Sequence, residues 1–418
     1  MTTLLTRHSC LATEDAGKLN KAAGFTIRCA RTCLPLAVNA PSALDLLHCL
    51  ANRMAIALVH DWLNQLGGAE DVLVELHRLF PGAPIYTSIY DRQRMPAEWR
   101  NWDIRSSWMD RLPRVHQMHQ PYMPLYAVTF AAMRIPDQYD PVLSNKSAFC
   151  IGVQVGPQAR HVCYCLTPTR FTFDFSAYAK RERIPGPAKA ILPALNAVLR
   201  AWERQAARRV TQFIAISREV QQRIRAHYGR ESDVIYPPVQ VARYAISHQS
   251  DGYFLIVSRL LPYKRIDLAI DACNRLGLPL LIAGDGRDRP RLERMAGPTV
   301  RLLGRVDDTT LSGLLARCRA FIFPGLEDFG IAPIQAMACG KPVIAYAGGG
   351  SLDTVIDGVT GLLFHDPTPD ALAAALSAFE GLSFAPAAIR SHAEKFSAER
   401  FQREIMKVLC QYGAGGPE

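Results

Sequence analysis

The sequence lacks several features that would each point to a particular class of protein. No apolar run approaches the ~18–20 residues that a membrane-spanning helix needs, and no internal repeat or low-complexity segment is present. Charged residues make up 21% of the chain and hydrophobic residues 49%, which is ordinary for a folded globular protein. A chain of 418 residues exceeds the usual size of one hydrophobic core, so we expect two domains.

Motifs that bind metals are also missing. The eleven cysteines include no Cys-x-x-Cys pair, which argues against a zinc site, and we expect the thiols to be reduced and buried. No Asp-x-Asp motif is present to hold a metal-bridged diphosphate. We therefore expect no metal and no cofactor, and basic side chains would have to neutralise any bound diphosphate.

The first 53 residues differ from the rest of the chain. They show neither helix nor strand periodicity, and they lack the basic start and long apolar stretch of a secretory signal. Met54 directly precedes the apolar run Ala55–His60, which is typical of an opening strand. Our hypothesis is that Met54 is the natural start and that residues 1–53 are a disordered extension or a gene-model artefact.

From Met54 onward, strand and helix patterns alternate, which predicts parallel sheets flanked by helices. The first such unit spans residues 54–245 and the second spans residues 251–392, with a polar segment between them. A last helix is predicted over about residues 393–412, within the terminal segment 393–418. No strand of the second unit is left for this helix to pair with.

One stretch of the second unit combines an anion site with a hydroxyl acceptor. Ala320–Phe323 is a buried strand, Gly325–Gly330 is a turn, and Pro333 suits the first turn of the following helix. A helix that starts at the carboxyl end of a strand is where open α/β sheets bind ligands, and its free N–H groups attract phosphate. Glu327 lies at this opening, where its carboxylate can meet sugar hydroxyls.

Other strand-end loops carry groups of related chemistry. Arg259 and Lys264 follow the first strand of the second unit, and two cations at this spacing can converge on a diphosphate. Gly67 and Gly68 follow the first strand of the first unit, where backbone can approach a ligand closely. Asp285 lies in a Gly-Asp-Gly turn. Tight turns and a solvated basic loop remain the structural alternatives for these residues.

These motifs resemble the donor-site signature of family 4 glycosyltransferases, which have the GT-B fold. That signature is Glu, seven residues, a second Glu, a small-residue helix and Gly-Lys/Arg-Pro-Val-Ile. The chain has Glu327 at the first position and Gln335 at the second. The resemblance extends over about residues 54–416, and Leu58–Asp71 and Ala215–Val220 are similar to bacterial mannosyltransferases of O-antigen and exopolysaccharide synthesis.

The resemblance implies a fold and an activity. The fold would be two Rossmann-like domains facing a cleft, an acceptor-binding one (54–245) and a donor-binding one (251–392), with a C-terminal helix crossing back to the first. The activity would be retaining, metal-independent transfer of a hexose, mannose from GDP-mannose, to a lipid-linked or polysaccharide acceptor in cell-surface glycan synthesis. Nucleotide sugar and glycan or lipid-linked acceptor are the expected partners.

The resemblance also implies roles for individual residues. Catalytic roles fall to Arg259, Lys264 and Glu327. Donor binding falls to Gly67, Gly68, Asp285, Phe329, Gly330, Ile331 and Gln335. Cleft positions near the acceptor fall to His60, Asp61 and Arg170.

Two departures from the family pattern keep a second interpretation open. Gln335 replaces a Glu that binds ribose hydroxyls, and its amide would bind them more weakly by ~1–2 kcal/mol, the scale of one hydrogen bond to a charged group. Leu166 stands where many relatives have a histidine. The alternative is a catalytically impaired nucleotide-sugar-binding or scaffold subunit. A phosphorylase ranks third, since no pyridoxal-phosphate lysine pattern is present.

The formal net charge of +10 is concentrated in one region. Residues 180–230 contain twelve Lys or Arg and three Glu. Nucleic acid is not expected as a partner, because no nucleic-acid-binding motif accompanies the charge. An anionic membrane surface bound through residues 180–209 and a merely solvated helix face are the remaining interpretations. The first would make the protein cytoplasmic and peripheral at the inner face of the membrane.

Overall fold

The computed structural model describes residues 54–173 and 186–411, together with Cys49 and Ala51; the side chains of residues 186–191 are not part of that description. Most of the predicted extension 1–53, and residues 180–185 of the basic stretch, lie outside the described residues. In the described ranges, the chain forms two parallel sheets with helices between successive strands.

The first sheet is built from residues 57–234. Its strands are β1 (Ala57–His60), β2 (Ile85–Thr87), β3 (Ile104–Ser106), β4 (Val142–Lys146), β5 (His161–Cys165), β6 (Gln212–Ala215) and β7 (Ser232–Val234). Their spatial order is β3-β2-β1-β4-β5-β6-β7, and every pairing is parallel. The order reverses between β1 and β4, which is where ligands bind in sheets of this kind.

The second sheet repeats this arrangement with one strand fewer. Its strands are β8 (Phe254–Val257), β9 (Leu280–Ala283), β10 (Val300–Gly304), β11 (Ala320–Phe323), β12 (Val343–Tyr346) and β13 (Gly361–Phe364). The order is β10-β9-β8-β11-β12-β13, again parallel throughout. Here the reversal lies between β8 and β11.

The α-helices of the described residues connect these strands and close the chain. They are α1 (Gly68–Leu79), α2 (Met123–Ala132), α3 (Arg170–Phe173), α4 (Gly186–Arg208), α5 (Arg218–Tyr228), α6 (Ile266–Leu276), α7 (Arg289–Met295), α8 (Asp308–Arg317), α9 (Ile331–Ala338), α10 (Ser351–Thr354), α11 (Pro369–Phe379), α12 (Pro386–Glu394) and α13 (Ala398–Gln411). Short 3-10 turns fill several of the remaining connections.

Several helix boundaries follow from local capping chemistry. The Ser217 hydroxyl accepts a hydrogen bond from the Val220 N–H and starts α5, which ends at Gly229 with φ 64°. Asp307 caps α8 in the same way through the Thr310 N–H, at 2.7 Å. These are the sequence signals that allow a helix end to satisfy its own unpaired backbone groups.

The two segments that join the domains pair with each other. The Val239 N–H donates to the Phe396 carbonyl at 2.9 Å, and the Ala398 N–H donates to the Val239 carbonyl at 3.1 Å. The Ser397 hydroxyl then accepts from the Arg400 N–H and begins the last helix. The prediction of one helix over 393–412 is therefore wrong at its start, because the backbone of residues 396–398 is used for this pairing.

The last helix, α13, packs against the first domain, as expected. Gln402 donates to the Glu75 carboxylate on α1 at 3.2 Å. The rings of Phe401 and Tyr164 lie 5.5 Å apart. The chain thus crosses back from the second domain to the first. No helix of the described ranges is long and apolar enough to span a membrane.

Candidate functional site

The strand-end loops of the second domain are packed backbone against backbone. A side chain at Gly284 would overlap the Ser258 carbonyl, and one at Gly349 would overlap the Glu327 carbonyl. The Gly350 N–H also donates to the Glu327 carbonyl, at 2.8 Å. Glycine is required at these positions because a Cβ has no room, and Gly284 and Gly349 also have positive φ. The loops that carry the predicted donor site therefore form one compact edge.

Two of the predicted catalytic residues meet at this edge. The Lys264 ammonium forms an ion pair with the Glu327 carboxylate, and both side chains are mostly buried. The same ammonium lies 5.2 Å from the centre of the Tyr263 ring. The pair holds a cation and a hydroxyl acceptor next to each other, which suits a charged phosphate beside a sugar.

Arg259 lies on the same loop as Lys264 and is exposed. No described residue forms a hydrogen bond or ion pair with its guanidinium. An arginine without such a protein partner can offer its planar donor fork to an incoming phosphate. The structure therefore brings Arg259 and Lys264 to the same strand-end edge as Glu327.

Two helices begin opposite each other, one from each domain. α1 follows Gly67 and α9 follows Gly330, and neither has a side-chain cap. A Cβ on Gly68 would lie 3.0 Å from the Cδ1 atom of Ile331, so the two helix starts face each other across the domain boundary. Uncapped first turns leave several backbone N–H groups unpaired and carry a partial positive charge. The start of α9, which has no acidic residue in its first turn, favours an anion, whereas the first turn of α1 already holds Glu70 and Asp71.

The other predicted donor residues have more ordinary surroundings. Asp285 is exposed, and its carboxylate accepts from the Gly286 N–H at 2.8 Å, as in a simple turn. Gln335 is half-buried on α9. Phe329 is buried, with its ring 5.8 Å from the Tyr236 ring, so its side chain is already packed inside the protein.

The prediction that Asp61 faces the cleft is wrong. Its side chain is fully buried. The carboxylate accepts from the backbone N–H groups of Ser147, Ala148, Phe149 and Cys150 at 2.6–2.7 Å, and from the Ser147 hydroxyl. It anchors the loop after β4, which covers the end of the central strand β1.

His60 is buried as well, at 1% exposure, so its predicted cleft position is also wrong. Its ring lies 3.2 Å from the Asn145 amide nitrogen and 3.4 Å from the Glu70 carboxylate. These contacts explain the packing of the histidine at a strand end without a ligand. The first turn of α1 and the neighbouring strand β4 cover it.

Arg170, which was predicted to lie in the cleft, lies at the boundary between the domains and is paired across it. Its guanidinium lies 2.6 Å from the Asp328 carboxylate of the second domain, which also receives Arg223 at 2.6 Å. Burial by itself lowers the pKa of Arg170, but the charge and hydrogen bond of Asp328, together with Glu327 and Tyr263, raise it by more, so this pKa lies above its ordinary value. Our sequence reasoning missed Asp328 and Arg223, although the acidic pair Glu327-Asp328 was visible.

Much of the basic stretch is used inside the first domain. Arg200 donates to the Thr172 carbonyl, and Arg204 donates to the His227 carbonyl at 3.1 Å. Arg209 and Arg230 likewise donate to backbone carbonyls. Arginines that donate to backbone carbonyl groups in this way stabilise the domain. The positive charges of this stretch are therefore not all available as one basic surface for a partner. Among the described residues no group of three or more His, Cys, Asp or Glu is placed to hold a metal.

Comparison with known proteins connects this geometry to a family. Residues 245–396 match the model described as glycosyl transferases group 1. The chain is 31% identical over 175 residues to a GDP-mannose-dependent alpha-mannosyltransferase from Mycolicibacterium smegmatis, covering 39% of this chain and 46% of that protein. It is 29% identical over 300 residues to a D-inositol 3-phosphate glycosyltransferase from Kribbella flavida, covering 61% and 68%. The chain thus spans about half the length of the mannosyltransferase.

A solved structure agrees over a longer region. HepE from Anabaena, in complex with UDP, superposes with a TM-score of 0.62 at 18% sequence identity, over 86% of this chain and 100% of that one. This likeness concerns the fold. Together with the two sheets and the returning helix α13, it confirms the expected GT-B architecture.

Proposed function

We propose that this chain is a group 1 glycosyltransferase that moves a hexose from a nucleoside diphosphate sugar to an acceptor with retention at the anomeric carbon. One observation carries the proposal: Lys264, Glu327, exposed Arg259 and the start of α9 share one edge of the second sheet, and the start of α1 faces that edge. The match of residues 245–396 to the group 1 model supports it.

In the proposed mechanism, the bond between sugar and diphosphate loosens first and charge develops on the diphosphate. Arg259, Lys264 and the N–H groups after Gly330 stabilise that charge. Lys264 has by then exchanged its Glu327 partner for phosphate oxygen on donor binding, which frees the Glu327 carboxylate to orient sugar hydroxyls. The acceptor oxygen forms its bond to the anomeric carbon on the face that the diphosphate leaves, and the departing diphosphate oxygen takes the proton of the acceptor hydroxyl. No step requires a metal.

We further propose mannose as the sugar and GDP-mannose as the donor. The similarity of the chain to a GDP-mannose-dependent alpha-mannosyltransferase supports this choice. The proposed acceptor is a lipid-linked or polysaccharide chain. Peripheral contact with an anionic membrane at the cytoplasmic face would involve residues 180–209. Equal recovery of the protein on neutral vesicles and on vesicles containing anionic lipid would contradict the membrane contact.

The test of the donor is calorimetric titration of the full chain with GDP, UDP and ADP, without metal and with a chelator. Micromolar binding of GDP with weak binding of UDP is the expected result. A preference for UDP would overturn mannose transfer and leave the site intact. Incubation with GDP-mannose and analysis of the anomeric configuration of the product would then test retention.

A catalytically impaired subunit is the second candidate, and Gln335 is the observation that favours it. A glutamine at this position of α9 keeps one carbonyl acceptor but lacks the charge of a carboxylate. Binding of no nucleotide in the titration, by protein that is folded, would favour this alternative and contradict transfer.

A further inference from the structure

The carboxylate of Asp328 is the second-domain member of a four-residue ion network. Arg170 and Arg223 each approach it at 2.6 Å, and Arg223 also pairs with Glu219 on the same helix at 2.7 Å. Arg170, Arg223 and Glu219 belong to the first domain, whereas Asp328 belongs to the second. Two positive and two negative charges thus balance across the domain boundary.

This network is only partly open to solvent. The side chain of Asp328 is 12% exposed, and those of Arg170 and Arg223 are 29% and 25% exposed. Partial burial strengthens an ion pair because less water screens it. Within the described part of the second domain, no residue forms a hydrogen bond or ion pair with the Asp328 carboxylate. The charge therefore serves contact with the first domain rather than the fold of its own domain.

The neighbours of Asp328 place this contact at the centre of the proposed site. Glu327 pairs with Lys264 at the donor edge, the strand-end edge of the second sheet that carries Arg259, Lys264 and Glu327. On the other side, the ring of Phe329 lies 5.8 Å from Tyr236 and 5.7 Å from Phe396, which are in the two segments that connect the domains. Three consecutive residues thus contact the donor edge, the opposite domain and the connecting segments.

We propose that Asp328, Arg170 and Arg223 form a cross-domain clamp. The clamp holds the loop of residues 325–330 against the first domain, and the two arginines act as positioning residues through Asp328. The clamp keeps the start of α9 opposite the start of α1 and excludes water from the site between them. Its effect on turnover rests on the proposed function, whereas its effect on domain separation does not.

Asp328→Asn is the most informative variant because it keeps the shape and removes the charge, and it leaves two arginines facing each other. We expect turnover to fall about 10- to 100-fold, the factor that one or two charge-assisted hydrogen bonds supply. The share of donor lost to hydrolysis should rise. Nucleotide affinity should stay within about threefold of wild type, since Arg259, Lys264 and Glu327 are unchanged. Asp328→Glu should recover part of the turnover.

Small-angle scattering of the unliganded full chain measures the clamp independently of activity. The radius of gyration should increase for Asp328→Asn, Arg170→Gln and Arg223→Gln, and 0.5 M salt should increase it more in wild type than in Asp328→Asn. Arg225→Gln is the matched control: it lies on the same helix but pairs with Glu231 of its own domain. Its radius should equal that of wild type.

Two results would overturn the clamp. One is an unchanged radius of gyration and unchanged turnover in Asp328→Asn and in both arginine variants. The other is loss of nucleotide binding together with turnover, which would mean that Asp328 merely shapes the loop. If Asp328→Asn fails to fold, the two arginine variants decide the question by the same readouts. If wild-type protein transfers no sugar, the proposed function fails, and the scattering comparison still decides the clamp.

Discussion

The two domains share a strand order but place their charged side chains differently. In the first domain, Asp61, Lys146, His161 and Glu203 are at most 1% exposed. In the described part of the second domain, Lys341, at 5% exposure, is the most buried of the Asp, Glu, Lys, Arg and His residues taken whole, and the Asp353 carboxylate, whose side chain is 2% exposed, pairs with Arg218 of the first domain. The first domain thus keeps charge inside its core, while the charged residues of the second domain lie nearer its surface or, like Asp353, against the first domain.

Interior charges of the first domain serve to position loops. Glu203 accepts from the N–H and the hydroxyl of Thr169, at 3.2 Å and 2.7 Å, and pairs with Lys146 at 3.0 Å. This arrangement holds the residue directly before Arg170. Burial alone lowers the pKa of Lys146, but Glu203, with smaller contributions from Cys165, Cys163 and Asp61, raises it by more in total, so the lysine stays charged inside the domain. Charges at the edge of the second domain remain accessible to a ligand instead.

Substitutions can test this difference between the two domains. Removing a charge from the first domain should reduce stability and leave nucleotide affinity nearly unchanged. Removing a solvent-exposed charge from the edge of the second domain should reduce turnover and leave stability nearly unchanged. A buried ion contributes through the protein groups that solvate it, whereas an exposed ion contributes through its ligand.

The largest effect is expected for the buried pair of the first domain. Glu203→Gln leaves the Lys146 ammonium buried without a counter-charge and should lower the free energy of unfolding by ~3–5 kcal/mol. Urea denaturation followed by circular dichroism measures this. In the double variant with Lys146→Met, part of the loss should be recovered. A single-variant loss below ~1 kcal/mol would contradict the role of the pair.

His161 should make the first domain sensitive to acid. Burial, with a contribution from Arg209, lowers the pKa of His161 to about 4 from an ordinary value of 6.5. The folded state therefore favours the neutral ring, so the stability that His161 contributes is complete above pH 6.5. It is lost as the pH falls toward 4, by about 3 kcal/mol in all.

The measurement is the free energy of unfolding at pH 7 and at pH 4. In His161→Gln, the difference between these two values should shrink by about 3 kcal/mol. Other groups titrate in both proteins, and the comparison with wild type removes their contribution. An equal difference in wild type and variant would show that His161 has no part in acid sensitivity.

Loss of either edge cation should lower turnover strongly. Arg259→Ala and Lys264→Ala should each lower turnover by about 100-fold or more, because each removes a donor to the charge that develops on the diphosphate. The midpoint of urea unfolding should stay near that of wild type for Arg259→Ala, whereas Lys264→Ala also removes the partner of the mostly buried Glu327 carboxylate and should lower it. Near-normal turnover in both variants would remove the proposed diphosphate role.

The smallest effect is expected at Gln335, where the substitution adds a charge to the edge. Gln335→Glu should tighten GDP binding by ~1–2 kcal/mol, about 5- to 30-fold, through a stronger acceptor for ribose hydroxyls. Calorimetric titration measures the change, and Gln335→Ala is the control that should weaken binding. Weaker binding by the Glu variant would mean that this side chain does not face the ribose.

Most of the fold could be predicted from the alternation of strand and helix patterns. Two elements of the first domain escaped that reasoning. β3 (Ile104–Ser106) is three residues long and largely exposed at the edge of the sheet, so it lacks an apolar run. α2 (Met123–Ala132) has Pro124 in its first turn and is apolar around its whole circumference, which hides helical periodicity.

The candidate site was predictable where strand ends determine it. Arg259, Lys264 and Glu327 follow neighbouring strands β8 and β11, and the carboxyl ends of parallel strands share one edge. The same reasoning failed for Asp61, because a strand-end carboxylate looks identical in sequence whether a later loop covers it or not. Asp328 was missed because Arg223, one of its partners, is 105 residues away in the chain.

Local sequence is sufficient to specify the two alternating units, the glycine-rich turns and the side-chain chemistry at their strand ends, because these depend on neighbouring residues. Tertiary contacts, in contrast, cover His60 and Asp61 and pair Asp328 across the domain boundary. The strength of an ion pair depends on distance and on surrounding water. Both are properties of distant segments brought together, and local sequence does not encode them.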